Sequence, residues 1–392
     1  MMRSLFLLAF STLVFAGELP WRMGELRKTP QSWAAQTEEA GVKAVWIAGP
    51  LYQGKPTRAF AYYGVPAGSA KVPGMVLLHG GGGTAFAEWV RMWNARGFAA
   101  IAVDTVGTLP EKALESKLWD PKRARHEFSG PAGWGDFTNV DSAVTDQWTY
   151  HAVAVSLAAH SFLRAQPGVD AGRIGLTGIS WGGYLTSIVT SVDSRFRFGV
   201  PIYGCGYLGE DSAWLKDFEK LGPERAAKWL KLWDPSAYLA RAKRPLFWIN
   251  GTNDFAYVMR SWQKSYRMPR GERLLSLQVR MKHSHPDGAR PEEVFAFANE
   301  RLMGGPRLVQ ISKQGPGWAD YSRGSRPVKA ELCFSRDTGR WQDRKWETVP
   351  ASIDEKARRV SGVVPDGASV YYLNLVDTAG LIVSTEHVEL RQ

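Results

Sequence analysis

Cysteine is almost missing from this chain: Cys205 and Cys333 are the only two in 392 residues. Two such residues cannot make a disulfide scaffold, and both are expected to be free and buried. There is no internal repeat and no low-complexity tract, so solenoids and fibrous folds are excluded. Past the N-terminus no apolar run approaches the roughly 20 residues that a membrane-spanning helix needs. His283 and His285 stand two apart, but no Cys/His/Asp cluster at ligand spacing accompanies them, so no metal is expected. Charge is biased to +11, from 49 basic and 38 acidic residues. The basic residues are nevertheless scattered. Their densest cluster, Lys122-Arg123-Ala124-Arg125, is short and carries no nucleic-acid motif, so a solvated surface is expected and no nucleic-acid partner.

What is present begins with a leader. Met1-Met2-Arg3-Ser4 precedes an apolar stretch, residues 5–16, broken only by Ser11 and Thr12, and polarity returns at Gly17-Glu18. This is the layout of a signal peptide, with cleavage expected after Ala16 and a secreted or periplasmic mature protein. Hydrophobic residues at 44% and charged residues at 22% suit a globular chain. The remainder exceeds what one core usually serves, so two domains are expected, residues 17–305 and 307–392, divided at Gly304-Gly305-Pro306.

In the first domain, short β-branched runs alternate with helical ones, which is the pattern of a mostly parallel α/β sheet with crossover helices. Eight strands are predicted, at 42–47, 58–65, 74–78, 98–103, 173–178, 198–203, 245–250 and 274–281. Helices are predicted at 86–96, 148–165, 182–192, 257–267 and 292–302. The first two strands have no helix between them and should pair antiparallel. Tryptophan-rich insertions at 105–147 and 207–243 follow strand ends, where open α/β sheets bind ligands. Their Trp119, Trp134, Trp148, Trp214, Trp229 and Trp233 could stack on sugar rings, although packing onto the sheet is the expected role for most of them. From residue 307 onward short runs at 308–311, 328–334, 359–364, 370–375 and 381–386 predict a small β-sandwich accessory to the first domain.

The chemistry centres on Thr177-Gly178-Ile179-Ser180-Trp181-Gly182-Gly183 between a predicted strand and a predicted helix. Gly-x-Ser-x-Gly in that context forms a sharp turn that exposes the serine hydroxyl, and only glycine leaves room on either side. A second turn, His79-Gly80-Gly81-Gly82-Gly83, ends the third predicted strand. Its glycines let backbone approach a substrate, so the amides of Gly81 (or Gly82) and Trp181 are the candidate oxyanion donors. It lacks the Gly-Lys-Ser/Thr ending of a phosphate loop. A nucleophilic serine needs a base, and the base an orienting acid, in the chain order serine, acid, histidine. Asn250-Gly251-Thr252-Asn253-Asp254 supplies Asp254 after the seventh strand, and His283-Ser284-His285 follows the eighth.

On residues 79–83, 178–183, 250–254 and the histidine loop, the chain resembles the dienelactone hydrolase and acetyl xylan esterase (cephalosporin C deacetylase-like) group of α/β-hydrolases, over roughly residues 40–305. The resemblance implies an α/β-hydrolase fold, a Ser-Asp-His triad, no cofactor, and small esters such as acetylated sugars as substrates. It also implies a base that follows a small residue and precedes the final helix, so His285 is the expected base and His283 is the alternative. Serine stands where a dienelactone hydrolase proper carries cysteine, which favours ordinary esters. Bulky Trp181 beside the nucleophile suggests a short acyl pocket. Two other classes remain: a prolyl oligopeptidase-like serine peptidase, for which the chain has no room for a propeller, and a catalytically dead hydrolase scaffold that binds carbohydrate.

Overall fold

Apolar runs between residues 32 and 278 pair into one nine-stranded sheet. Its strands are β1 (Ser32–Ala35), β2 (Lys43–Ala48), β3 (Arg58–Gly64), β4 (Val72–Leu78), β5 (Ala99–Val103), β6 (Val169–Ile179), β7 (Gly199–Ile202), β8 (Leu246–Gly251) and β9 (Arg273–Gln278). Their order across the sheet is β1-β2-β3-β5-β4-β6-β7-β8-β9. The pairs from β1 through β3 to β5 are antiparallel, and the remainder are parallel. The computed structural model describes residues 18–68, 70–110, 123–133, 137–322 and 324–390. The expected signal peptide, Trp119 and Trp134 lie outside the described residues.

All eight predicted strands form, and the first two pair antiparallel as their short connection requires. The ninth, β1, was not expected. Ser-Trp-Ala-Ala has no β-branched residue and lies at an edge with alternating exposure, so its strand character comes from pairing with β2. The central strands are buried on both faces, as in Ala-Ala-Ile-Ala-Val of β5. Helix Trp148–Arg164 is buried from Trp148 to Leu163, which explains why its sequence is apolar almost all round. Both cysteines are free and buried.

The C-terminal region is a pair of antiparallel sheets. Its strands are β10 (Ile311–Gly315), β11 (Trp318–Tyr321), β12 (Pro327–Ser335), β13 (Glu347–Pro350), β14 (Ser352–Asp354), β15 (Arg359–Ser361), β16 (Val370–Asp377), β17 (Ile382–Ser384) and β18 (Val388–Glu389). One sheet runs β10-β11-β15-β14, and the other runs β13-β12-β16-β17, with β18 beside β16. The run predicted at 308–311 begins its strand only at Ile311, because Leu308 and Val309 are buried and Glu300 Oε2 takes the Leu308 amide at 3.0 Å. This region docks on the edge of the large sheet: Ser384 Oγ accepts from Leu277 N at 2.8 Å, and Asn374 Nδ2 donates to Leu277 O at 3.4 Å. Arg260 pairs with Glu389, and Arg267 and Arg273 pair with Glu386, around the same seam.

The approach of helix Trp181–Val192 to the sheet is the tightest constraint around the motif. A Cβ at Gly182 would lie 2.0 Å from Leu78 O, and one at Gly178 would lie 2.2 Å from Gly182 O. Both obstacles are backbone, so neither can swing aside. Gly182→Ala should therefore cost about 3 kcal/mol or more, at the upper end of overpacking penalties, read as a lowered denaturation midpoint. A variant as stable as the parent would refute the close approach.

Candidate active site

Ser180 joins β6 to helix Trp181–Val192 with φ 58° and ψ −118°, a conformation that L residues rarely adopt. The strain is held by its surroundings: Ser180 N donates to Ile202 O at 2.9 Å, and Ser180 O accepts from Tyr184 N at 2.9 Å. The hydroxyl is thereby fixed at the carboxyl edge of the parallel strands, half-buried.

His283 Nε2 lies 2.8 Å from Ser180 Oγ, and His283 Nδ1 lies 2.6 Å from Asp254 Oδ2. Asp254 is fully buried and divides its two oxygens. Oδ1 accepts the amides of Ala256 at 2.9 Å and Tyr257 at 2.7 Å, which leaves Oδ2 aimed at the imidazole. The histidine loop is held in turn by Tyr203, whose hydroxyl donates to Lys282 O at 2.7 Å. The Tyr203 ring stacks on His283 at 4.4 Å, and the rings of Phe255 and Tyr257 lie at 5.1 and 6.2 Å from it.

His285, the expected base, does not reach the serine. Its ring lies against Phe86 at 4.1 Å and Trp89 at 5.0 Å, and its Nδ1 has no hydrogen-bond partner. Desolvation among these rings, with His79 nearby, lowers its pKa. The reason is local: Ser284 Oγ accepts from Asp287 N at 3.0 Å and caps a short helix, His285–Ala289, with Pro286 in its first turn. His285 thus belongs to the helix and turns inward, whereas His283 precedes the cap and stays in the loop. Ser284-x-x-Asp287 followed by a helix is a capping signature that the sequence carries, and it would have separated the two histidines.

The glycine turn sits beside the nucleophile, since a Cβ on Gly80 would come within 3.0 Å of Ser180 Cβ. Gly83 N closes the turn on Gly80 O at 3.1 Å, and Gly82 has φ 68°. His79 orders it. Thr105 N donates to His79 Nε2 at 3.0 Å, which leaves the ring proton on Nδ1 to donate to Gly80 O at 2.7 Å. Gly81 lies within this turn, and Trp181 opens the helix immediately after Ser180.

Tyr257 belongs to no motif that singles it out. It is fully buried, and its hydroxyl, which pairs with no other group, lies beside the Ser180 side chain. Desolvation raises its pKa well above the ordinary tyrosine value, which keeps it a protonated donor beside the nucleophile. The described insertion tryptophans, Trp148, Trp214, Trp229 and Trp233, pack against other rings. Trp181 contacts Trp148 at 5.6 Å and Trp214 at 4.7 Å, and Phe137 meets Trp229 at 4.8 Å. Only about 10 Å³ remains between Phe137, Trp148, Trp229 and Trp233. A cleft of about 1060 Å³ between Trp33, Glu38, Tyr62 and Phe162 contains none of Ser180, Asp254 and His283. Among the described residues, no three His, Cys, Asp or Glu side chains converge in a way that could hold a metal ion.

Residues 139–295 match the family model of the prolyl oligopeptidase family. No curated protein resembles the chain closely enough in sequence to count as a relative. Among solved structures, the chain is similar to an acetyl xylan esterase from Paenibacillus sp. R4, with 18% identity over 71% of this chain and 92% of that one and a TM-score of 0.56. It is likewise similar to acetyl xylan esterase 1 from Thermoanaerobacterium sp. JW/SL YS485, at 14% identity over 73% and 94% of the two chains and a TM-score of 0.53. The acylaminoacyl peptidase of Pyrococcus horikoshii matches at 18% identity and a TM-score of 0.51, over 71% of this chain but 44% of that one. The strand–turn–helix that carries Ser180 on a mostly parallel sheet, together with these matches, makes the protein a serine hydrolase of the α/β-hydrolase fold.

Proposed function

We propose that the protein is a carboxylesterase that cleaves short-acyl esters through a covalent acyl-enzyme, with Ser180 as nucleophile, His283 as base and Asp254 as orienting acid. The carrying observation is the unbroken relay Ser180 Oγ, His283 Nε2, His283 Nδ1, Asp254 Oδ2, with heavy-atom separations of 2.8 and 2.6 Å. Attack of Ser180 Oγ on the ester carbonyl passes the hydroxyl proton to His283 Nε2, and Asp254 holds the resulting imidazolium by its Nδ1 proton. The tetrahedral oxyanion is taken by the amides of Gly81 and Trp181, donors of a kind worth about 3 kcal/mol each. Collapse breaks the ester C–O bond and returns the proton from His283 to the departing alcohol. Water then repeats the sequence on the acyl-serine, and no cofactor enters.

The solid aromatic packing beneath Trp181 supports a small acyl group. Matches to two acetyl xylan esterases over nearly their full length favour an acetyl ester, with acetylated carbohydrate as the substrate class. The apolar leader at residues 5–16 supports export to the periplasm or beyond. A peptidase is the second reading, favoured by the prolyl oligopeptidase family match. Against it, the chain matches less than half of the acylaminoacyl peptidase.

Ser180→Ala should fall to the residual, roughly 10³–10⁴ over water, that binding and the oxyanion donors alone sustain. Turnover of p-nitrophenyl acetate by the folded variant at the parent's rate would end this mechanism. His283→Ala should lose a comparable factor, whereas His285→Ala, which removes a ring packed on Phe86 and Trp89, should lower thermal stability and leave most of the rate. The opposite ranking in folded variants would move the base to His285. On the parent enzyme, acetate and propionate esters should turn over well ahead of octanoate, with a proline anilide slowest. Parity on octanoate would contradict the small acyl pocket, and a fast anilide would make the protein a peptidase.

A further inference from the structure

One side chain of the acid loop meets the sandwich. Asn253, half-buried and immediately before Asp254, points its Nδ2 at three carbonyls of the C-terminal region: Arg344 O at 2.7 Å, Gln342 O at 3.2 Å and Trp341 O at 3.4 Å. Two N–H groups shared among three acceptors fix the amide in both rotation and position. Its Oδ1 accepts from Thr252 Oγ1 at 2.8 Å, and Thr252 Oγ1 accepts from Arg280 N at 2.9 Å in the segment that leads to His283. Asn253 therefore ties the acid loop and the histidine loop to a single turn of the sandwich.

That turn is built to stay still. Trp341 is buried, the Arg344 guanidinium lies 3.6 Å above its ring, and Arg344 Nε donates to Gly339 O at 2.9 Å. Among the described residues, no other group of the C-terminal region hydrogen-bonds the acid loop. Arg267 and Glu386 join the two regions at a separate place, beyond the helix Met259–Tyr266.

We infer that the C-terminal sandwich is not an appendage but a positioning element of the active site, which acts through Asn253 to hold Asp254 in line with His283. The inference rests on the proposed triad, and it makes Asn253 a positioning residue that touches no substrate. Freed from its three carbonyls, the acid loop would shift Asp254 against an imidazole that has little tolerance for displacement.

The test measures kcat and KM on p-nitrophenyl acetate in the full-length protein, with kcat expressed per fluorophosphonate-titrated site. Asn253→Ala should lower kcat by about 10- to 100-fold, the penalty for displacing a catalytic group by about an ångström. KM should stay near the parent value. Arg267→Ala, which weakens the same seam away from the loop, should lower the melting temperature and leave kcat per titrated site unchanged. Should Asn253→Ala fail to fold, Asn253→Ser, which keeps one donor, should fold and give an intermediate kcat. Parental kcat in a folded Asn253 variant would overturn the inference, as would an equal loss in Arg267→Ala. Failure of the triad itself would show separately, as activity persisting in Ser180→Ala.

Discussion

The site depends first on a steric constraint: a helix pressed onto the sheet until its backbone touches two strands. With Gly182 against Leu78 O and Gly178 against Gly182 O, the link from β6 to the following helix has no alternative to a tight turn. Ser180 takes the strained φ of 58° because the residues on both sides leave it no other path. The same approach brings the turn at residues 79–83 beside the serine, since β4 and β6 are parallel neighbours and their ends lie level. Ser180 and the loop beside it are thus delivered by one packing event.

The acid and the histidine are placed differently. They lie on loops after β8 and β9, parallel neighbours at the sheet's far side, and loops need anchors that the sheet does not supply. Asp254 is anchored by the two amides its own Oδ1 captures, and the ends of its loop are joined where Asn250 Nδ2 donates to Tyr257 O at 2.9 Å. His283 is anchored by Tyr203, through the carbonyl before it and the ring stacked on it. The outer edge of β9 would be an open template for pairing, and the sandwich covers it.

Much of this was legible in advance. The strand and helix periodicities located all eight of the predicted strands, and Gly-x-Ser-x-Gly located the elbow, because both are local signals. The strand β1 was not legible, since its alternating burial arises from a neighbour and not from its own residues. The choice of His285 over His283 failed for a different reason. Ser284 and Asp287 carry a local capping signal, but the position of the final helix, on which the expectation of His285 rests, does not register the short capped helix before it. Tyr257 and Asn253 were beyond reach. Each matters through partners far along the chain, 26 residues to His283 for the one and some 90 to the sandwich for the other.

The basic excess takes on a more definite meaning at the seam between the two regions. Arg260, Arg267 and Arg273 come from the large domain, and Glu386 and Glu389 from the end of the chain. Glu386 is largely buried, so its two arginines answer a charge that would otherwise be costly to desolvate. The pairs at Arg260, by contrast, stand more open to solvent and contribute less per contact. Neutral bonds carry the geometry here: Ser384 and Asn374 on Leu277, Gln263 on His387 O at 2.8 Å, and Asn253 on its three carbonyls. Ion pairs give the seam its complementarity, and the directional amide bonds fix its register. That register reaches, one residue on from Asn253, the buried carboxylate of Asp254, whose Oδ2 meets His283 Nδ1 at 2.6 Å.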